Sequence, residues 1–507
     1  MMKYRGTLLL SVCILFFTDG SPKAVEAGTT SWDQTSEMST TTAPQSSVGS
    51  QGSATLPGPT AVQQVPEATT VPSTPIAAGA ELTLERAISV ALQYHPRIRE
   101  TAENVNAAAA RVGEARSYLG PQALVVGEDL GSTFNGIGNA NYYDPEGAFP
   151  RMTGRNHDLP SDDFTQSSDI NNNYMGGLAV SQFLFDFGRR RGFVSQRGYE
   201  AASVSAAEQL AKLDLIFEVS QRYFGVLQAK QLIRVYEKAL EQRQYHLHEA
   251  QVKATAGLRP QLDVYVTQAE VERAQLYLVD AHNTYGDAKV ALNNALGLSD
   301  RAPEYHLADI LTYSPVTETV QPLIATALRL RPDMNELEDQ AKALGAQIVQ
   351  YKSDNYPTIN ALGGYSAIGT GLPAANNFNI GVVITWPIFN SFLTTDQIAE
   401  AKARQRSAQY AIQDLQQQII LQVQTAFLDW QASLQRIELA QKALAASGAE
   451  LELAEKRYET GLSNIVELED AQRHYTSDDA AYASALYGWS VTKAAVDKAT
   501  GRSLAEL

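Results

Sequence analysis

The 507-residue chain has one cysteine, too few for a disulfide framework or a cysteine-rich metal site. It has no run of 18 apolar residues, so it offers no transmembrane helix. It is short of positive charge: 40 Lys and Arg stand against 56 Asp and Glu, a net charge of -16. A chain that coats nucleic acid needs a basic surface, so that class is excluded. No HExxH, GxSxG or P-loop occurs, and the seven histidines form no ligand set. An enzyme or metal-dependent reading therefore has no motif behind it, and no cofactor is expected. Proline is absent between Pro160 and Pro260 and again after Pro387. Such long proline-free stretches leave room for very long helices.

What is present begins with an address. Lys3 and Arg5 precede an apolar stretch from Leu8 to Phe17, and Ala24-Val25-Glu26-Ala27 supplies small residues for cleavage. Residues 1–27 have the form of a secretory signal peptide, with the cut after Ala27. Cys13 lies within the removed part, and bulky Val12 before it argues against a lipid attachment site. Residues 28–80 are rich in Ser, Thr, Pro, Gln and Ala and contain no Lys or Arg. That composition cannot bury enough surface to offset ordering entropy, so a disordered exported linker is expected.

The remainder repeats itself. Ala91-Leu92, Pro96 and Pro121 return as Ala327-Leu328, Pro332 and Pro357, an offset of 236. Gly177, Phe185, Gly257-Leu258, Gln268 and Gly297 return as Gly381, Phe389, Gly461-Leu462, Gln472 and Gly501, an offset of 204. One register held this long marks a duplicated unit. The first copy, 81–317, carries about 32 extra residues between Pro121 and Gly177; the second is 318–507. Each copy reads as a helix (83–118 and 319–354) closed by a proline, then a strand hairpin (about 122–186 and 358–389), then a long helix pair (190–296 and 392–500). Within each pair the connection is a few residues at Gly-Leu, so the partners are antiparallel.

Four strands cannot close a barrel in lipid, where the smallest type has about eight. Unpaired strand edges are not tolerated there either. If the strands enter a membrane, several chains must share one barrel, and three chains give twelve strands. The helices, on the order of 100 Å long at ~1.5 Å per residue, must project into water. The expected class is an internally duplicated α+β membrane protein with a trimeric twelve-strand β-barrel on an α-helical barrel. The competing expectation is an exported coiled-coil scaffold without channel activity.

The duplication, the Pro-ended first helix, the turn Tyr458-x-x-Gly461-Leu462-x-x-Ile465-Val466-Glu467-Leu468-x-Asp470-Ala471-Gln472 and the closing Thr500-Gly501 resemble the TolC-like outer membrane efflux proteins over residues 81–507. The resemblance implies a homotrimer in the outer membrane of a Gram-negative-type cell, with its helices in the periplasm. It implies a periplasmic adaptor and an inner-membrane pump of RND or ABC type as partners, and export of small molecules or proteins. It also implies a periplasmic gate at Asp263, Tyr458, Glu467 and Asp470. Glu467 and Asp470 share a face of the last helix, and Asp263 holds the position of Glu467 in the first copy. Acids there also stabilise the helix dipole, which is the plainer explanation. Ser463 departs from the basic residue that some members carry, and Val266 from a second Asp470.

The hairpin tips Gly257-Leu258 and Gly461-Leu462 need glycine for a tight turn and are also the surface an adaptor would meet first. The acid-rich insert, about Gly131 to Asn173 (with Asp144, Glu146, Asp158, Asp162, Asp163 and Asp169), lacks EF-hand spacing and is expected to be a solvated loop outside the cell. Gly188-Arg189-Arg190-Arg191, just after a strand, is expected to be an interfacial anchor.

Overall fold

Each copy of the repeat opens on a helix that proline breaks. In the computed structural model, α1 (Leu84–Tyr94) ends at His95 and α2 (Pro96–Ser117) begins at once; α5 (Val320–Leu330) and α6 (Pro332–Ser353) do the same about Arg331. The single helices expected over 83–118 and 319–354 are thus each two. Proline at the first helical position loses nothing, because that N–H has no partner anyway. Its ring, however, pushes the residue before it out of the helical region. His95 and Arg331 are accordingly extended, at ψ 125 and 126°.

The structure describes residues 76, 79–133, 170–298, 302–308, 313–314, 317–369 and 375–502. These belong to one unit, Val71–Leu507. The signal peptide, nearly all of the linker and residues 134–169 of the insert lie outside the described residues.

The remaining helices and long strands have counterparts in both copies, and one short strand pair lies within the first. Strands β1 (Glu81–Leu82) and β4 (His306–Leu307) form a short parallel pair. The long strands are β2 (Gln122–Thr133), β3 (Ile170–Phe185), β5 (Thr358–Gly369) and β6 (Ala375–Thr385). Helices α3 (Arg189–Thr255) and α7 (Leu393–Glu459) have 67 residues each. Helices α4 (Gln261–Ala295) and α8 (Ile465–Thr500) have 35 and 36. At ~1.5 Å per residue the long pair span about 100 Å.

One close approach folds each copy back on itself. Gly297 (φ +73°) and Gly501 (φ +74°) sit where the returning helix meets the proline break. A Cβ on Gly297 would lie 2.8 Å from the His95 Cα, and one on Gly501 3.1 Å from the Arg331 nitrogen. Only glycine satisfies both the left-handed backbone and the lack of room. The Tyr223 hydroxyl, buried on α3, donates within 2.9 Å of the Leu82 carbonyl and 2.7 Å of the Ala308 carbonyl, which fastens the β1–β4 strip to the helices.

The two expected hairpins are one sheet. Its order is β2-β3-β5-β6, antiparallel throughout, with Leu178 opposite Tyr365 at the junction between copies. At that junction Gly177 faces Ser366, and a Cβ on Gly177 would come within 2.8 Å of the Ser366 Cβ. Strands β2 and β6 are left as edges. Packing among the helices falls into three buried clusters. One lies around α1 and α3 and includes Leu215, Val219 and Leu227. Another lies around α5, α7 and α8 and includes Ile419, Val423 and Trp489. The smallest, at the hairpin tips, includes Tyr458 and Leu468.

Candidate functional site

Two ends of the molecule carry features that a self-contained fold does not need. The first is the sheet. The register sets Leu178, Tyr365 and Phe378 side by side, then Val180 with Ile380, then Val382 and Ile384, all on one face because side chains alternate along a strand. That face is exposed: Phe378, Ile380, Val382 and Ile384 are among the most accessible large apolar residues of the chain, Ile380 at 81%. A contiguous apolar face of this kind marks a surface meant for something other than water.

Below the sheet the two copies part company. In the first copy, the turn from β3 to α3 is packed. Asp186 is buried and accepts from the backbone nitrogens of Gly188 (3.1 Å) and Arg190 (2.9 Å). Ser353 of α6 donates to the Phe187 carbonyl at 2.9 Å, and Arg189 pairs with Asp354 at 2.9 Å. The Arg190 guanidinium lies 4.2 Å from the Phe183 ring. In the second copy the same turn is bare: Ile388 is 87% exposed, with Phe389 and Phe392 also uncovered. Helix α6 packs on α3 and α7, whereas α2 contacts only α3 to a comparable extent. The first copy's turn is thus covered by α6 within the chain, and among the described residues nothing comparable covers the second copy's turn.

The other end is the pair of hairpin tips. Gly257 (φ +74°) and Gly461 (φ +78°) end the long helices in left-handed caps, with Leu258 N–H donating to Lys253 O (2.9 Å) and Leu462 N–H to Arg457 O (2.8 Å). No atom crowds either glycine, so the backbone alone demands it. Leu258 and Leu462 are the outermost apolar residues there, 73% and 74% exposed.

The four residues singled out near the tips do not share one environment. Tyr458 and Asp263 are buried and meet each other, the tyrosine hydroxyl donating to Asp263 Oδ2 at 3.4 Å. This bond joins the hairpin α7–α8 to the hairpin α3–α4. Burial pushes the Tyr458 hydroxyl up to about 12, with the Asp263 carboxylate adding to the shift. Glu467 and Asp470 remain on the exposed side of α8. Glu467 pairs with Arg457 at 3.1 Å and Asp470 with Arg473 at 2.8 Å. Its sequence equivalence to Glu467 notwithstanding, Asp263 faces the seam between hairpins and Glu467 faces outward.

One residue was missed. Arg259 stands in the first copy where Ser463 stands in the second, at the offset of 204. It donates to the Tyr458 carbonyl at 2.9 Å and lies over the Tyr458 ring at 4.6 Å, with Lys253 Nζ at 4.9 Å from the same ring. The basic partner absent at Ser463 is supplied from the other hairpin. The repeat register itself carried that signal. A buried polar layer also lies farther along the hairpins, formed by Arg243, His246, Glu270, Glu469 and Gln472. No cluster of metal-ligating type occurs among the described residues.

The family model for outer membrane efflux proteins matches residues 87–298 and 323–502, one match in each copy. The chain is 27% identical to outer membrane protein OprJ of Pseudomonas aeruginosa over 313 residues, which is 60% of this chain and 65% of that relative. It is 22% identical to outer membrane protein TolC of Escherichia coli over 426 residues, 80% of each. Among solved structures, CusC superposes with a TM-score of 0.70 at 18% identity, covering 86% of this chain and 98% of CusC.

Proposed function

The chain belongs to the outer membrane efflux protein family, and from that premise we propose that three copies assemble one outer membrane channel that exports solutes passed up from below. The observation that carries this is the four-stranded sheet, with an exposed apolar face and two unpaired edges. In lipid an open strand edge leaves backbone donors and acceptors without partners, each at a cost of several kcal/mol, so the edges must meet. Four strands per chain and three chains give twelve, an even number well above the minimum of about eight.

The repeat supplies the register of that meeting. Within one chain, β3 of the first copy pairs with β5 of the second, with Val180 opposite Gly363. Applying the two offsets, 204 and 236, places Ile384 of β6 opposite Gly127 of β2 in the next chain. The same operation brings the next chain's α2 onto the bare turn at Ile388 and Phe389, as α6 covers the turn at Phe187 within the chain. The asymmetry between copies is thereby removed by assembly, and the trimer becomes a sixfold repetition of one unit.

The helices carry the duct away from the membrane, and among the described residues none is long and apolar enough to cross one. The tips close its far end through Tyr458 and Asp263, with Glu467 and Asp470 ringing the mouth three times over. Such a ring concentrates negative field and favours cations. Leu258 and Leu462 present apolar contacts to a periplasmic adaptor, which links the duct to an inner-membrane pump. The test is to extract the protein from outer membranes and record it in planar bilayers. A heat-modifiable trimer with discrete channel conductance supports the proposal; a soluble, non-conducting rod refutes it.

A further inference from the structure

The polar layer farther along the hairpins from the Tyr458–Asp263 contact has no part in the account so far. Arg243 of α3 is buried and donates through Nη1 to Glu270 of α4, 3.2 Å to the carboxylate and 3.1 Å to the carbonyl. Arg273 pairs with the same carboxylate. Glu270 is thus held by two guanidiniums. Glu469 of α8 is 4% exposed, and neither of its carboxylate oxygens has a hydrogen-bond partner among the described residues. His246 of α3 is equally buried, with both ring nitrogens out of hydrogen-bond reach of any described partner; Glu455 of α7 is its nearest acid, at 3.8 Å.

A carboxylate buried without donors is strongly disfavoured as an ion, and the usual outcome is uptake of a proton. We propose that Glu469 is a proton-binding site that sets how firmly the two hairpins pack, so that the tips close when it is protonated and loosen when it ionises. This rests on the assignment of the tips as the gate. The charges that face it are Arg243 from α3, Glu270 and Arg273 from α4, and Arg473 from its own helix. Around His246 stand Glu249 and Arg243 of its own helix and Glu455 and Glu459 of α7.

Burial pushes Glu469 up to about 7, Arg243 opposing and Glu270 adding to the shift. With the hairpins apart, the carboxyl returns toward its ordinary 4.5. Below 4.5 it is protonated in both arrangements and packing carries no penalty. The penalty grows as pH rises from there and is complete above about 7, so alkalinity loosens the tips and mild acid closes them. Between pH 6 and 8 packing weakens by about tenfold per subunit. His246 works in the opposite sense. Burial lowers it, so its contribution to packing is present above its ordinary 6.5 and is lost as pH falls. It trims the effect at the lower end of that range.

The experiment is a planar-bilayer titration of the full assembly, with the solution at the tips taken from pH 6 to 8, for wild type, Glu469→Gln and Tyr458→Phe. A several-fold rise in open probability in wild type that is flat in Glu469→Gln supports the proposal. A flat wild-type titration overturns it, and that result needs no variant to fold. An equal rise in Glu469→Gln also overturns it, because another group then titrates. Tyr458→Phe separates the two ideas. If it opens the tips at every pH while wild type stays flat, the proton site alone fails; if it does not open them, the gate assignment fails.

Discussion

Removing the hydroxyl of Tyr458 isolates one contact between hairpins. In Tyr458→Phe the ring remains under Arg259 and Lys253, and the Arg259 bond to the backbone carbonyl is untouched. What is lost is the hydrogen bond to Asp263, leaving a buried carboxylate without its donor. A hydrogen bond to a charged group contributes about 1.5–3 kcal/mol. The 3.4 Å separation places this one at the weak end, so about 1.5 kcal/mol per subunit is expected. That corresponds to roughly tenfold in the closed-to-open ratio for each subunit. Bilayer conductance of Tyr458→Phe, Asp263→Asn and the double variant forms a cycle. Each single change opens the channel, and the double adds little to either, giving a coupling of about 1 kcal/mol or more. Fully additive effects would refute the reasoning, since the two side chains would then act on the gate independently.

The other expectations concern the mouth, the membrane face and the tips. Glu467→Ala/Asp470→Ala widens the entrance and reduces cation preference, measured as reversal potential under a salt gradient; unchanged conductance and selectivity would remove these acids from the pore. Ile380→Arg places a charge on the apolar sheet face and costs about 2–4 kcal/mol if that residue lies near the bilayer midplane. The loss is seen as a lower yield of folded trimer, and a neutral outcome would mean the face does not meet lipid. Leu462→Asp leaves the trimer and its conductance intact but abolishes crosslinking to an adaptor in cells; undiminished crosslinking would place the docking surface elsewhere.

Much of this fold was legible because duplication makes a sequence test itself. Two offsets were enough to pair the long helices, the tips and the closing glycines. The breaks at Pro96 and Pro332 were visible as repeated prolines, yet the helical period on either side hid them. Two-residue strands such as β1 carry no period at all. That the two hairpins share a sheet followed from the barrel expectation, but which strand of one lies beside which of the other did not, because a hairpin pattern says nothing about what lies beside it. Burial of Asp263 escaped for a related reason. Its exposure is set by Tyr458, 195 positions away, and equivalence to Glu467 in register gives no equivalence in environment. Glu469 looked like any acid near a helix start, since its burial is set by α3 and α4 of the other hairpin. Arg259 could have been found by asking what the first copy holds at the position of Ser463.

The central claim is that open edges of separate chains meet with a register dictated by the repeat. A chain carrying Gly127→Cys and Ile384→Cys, with Cys13 replaced, measures it directly by oxidation in outer membranes. The account predicts a reducible species of three chains on a denaturing gel, formed only when both cysteines are present. Uncrosslinked chains, or a ladder without a stop at three, would contradict it.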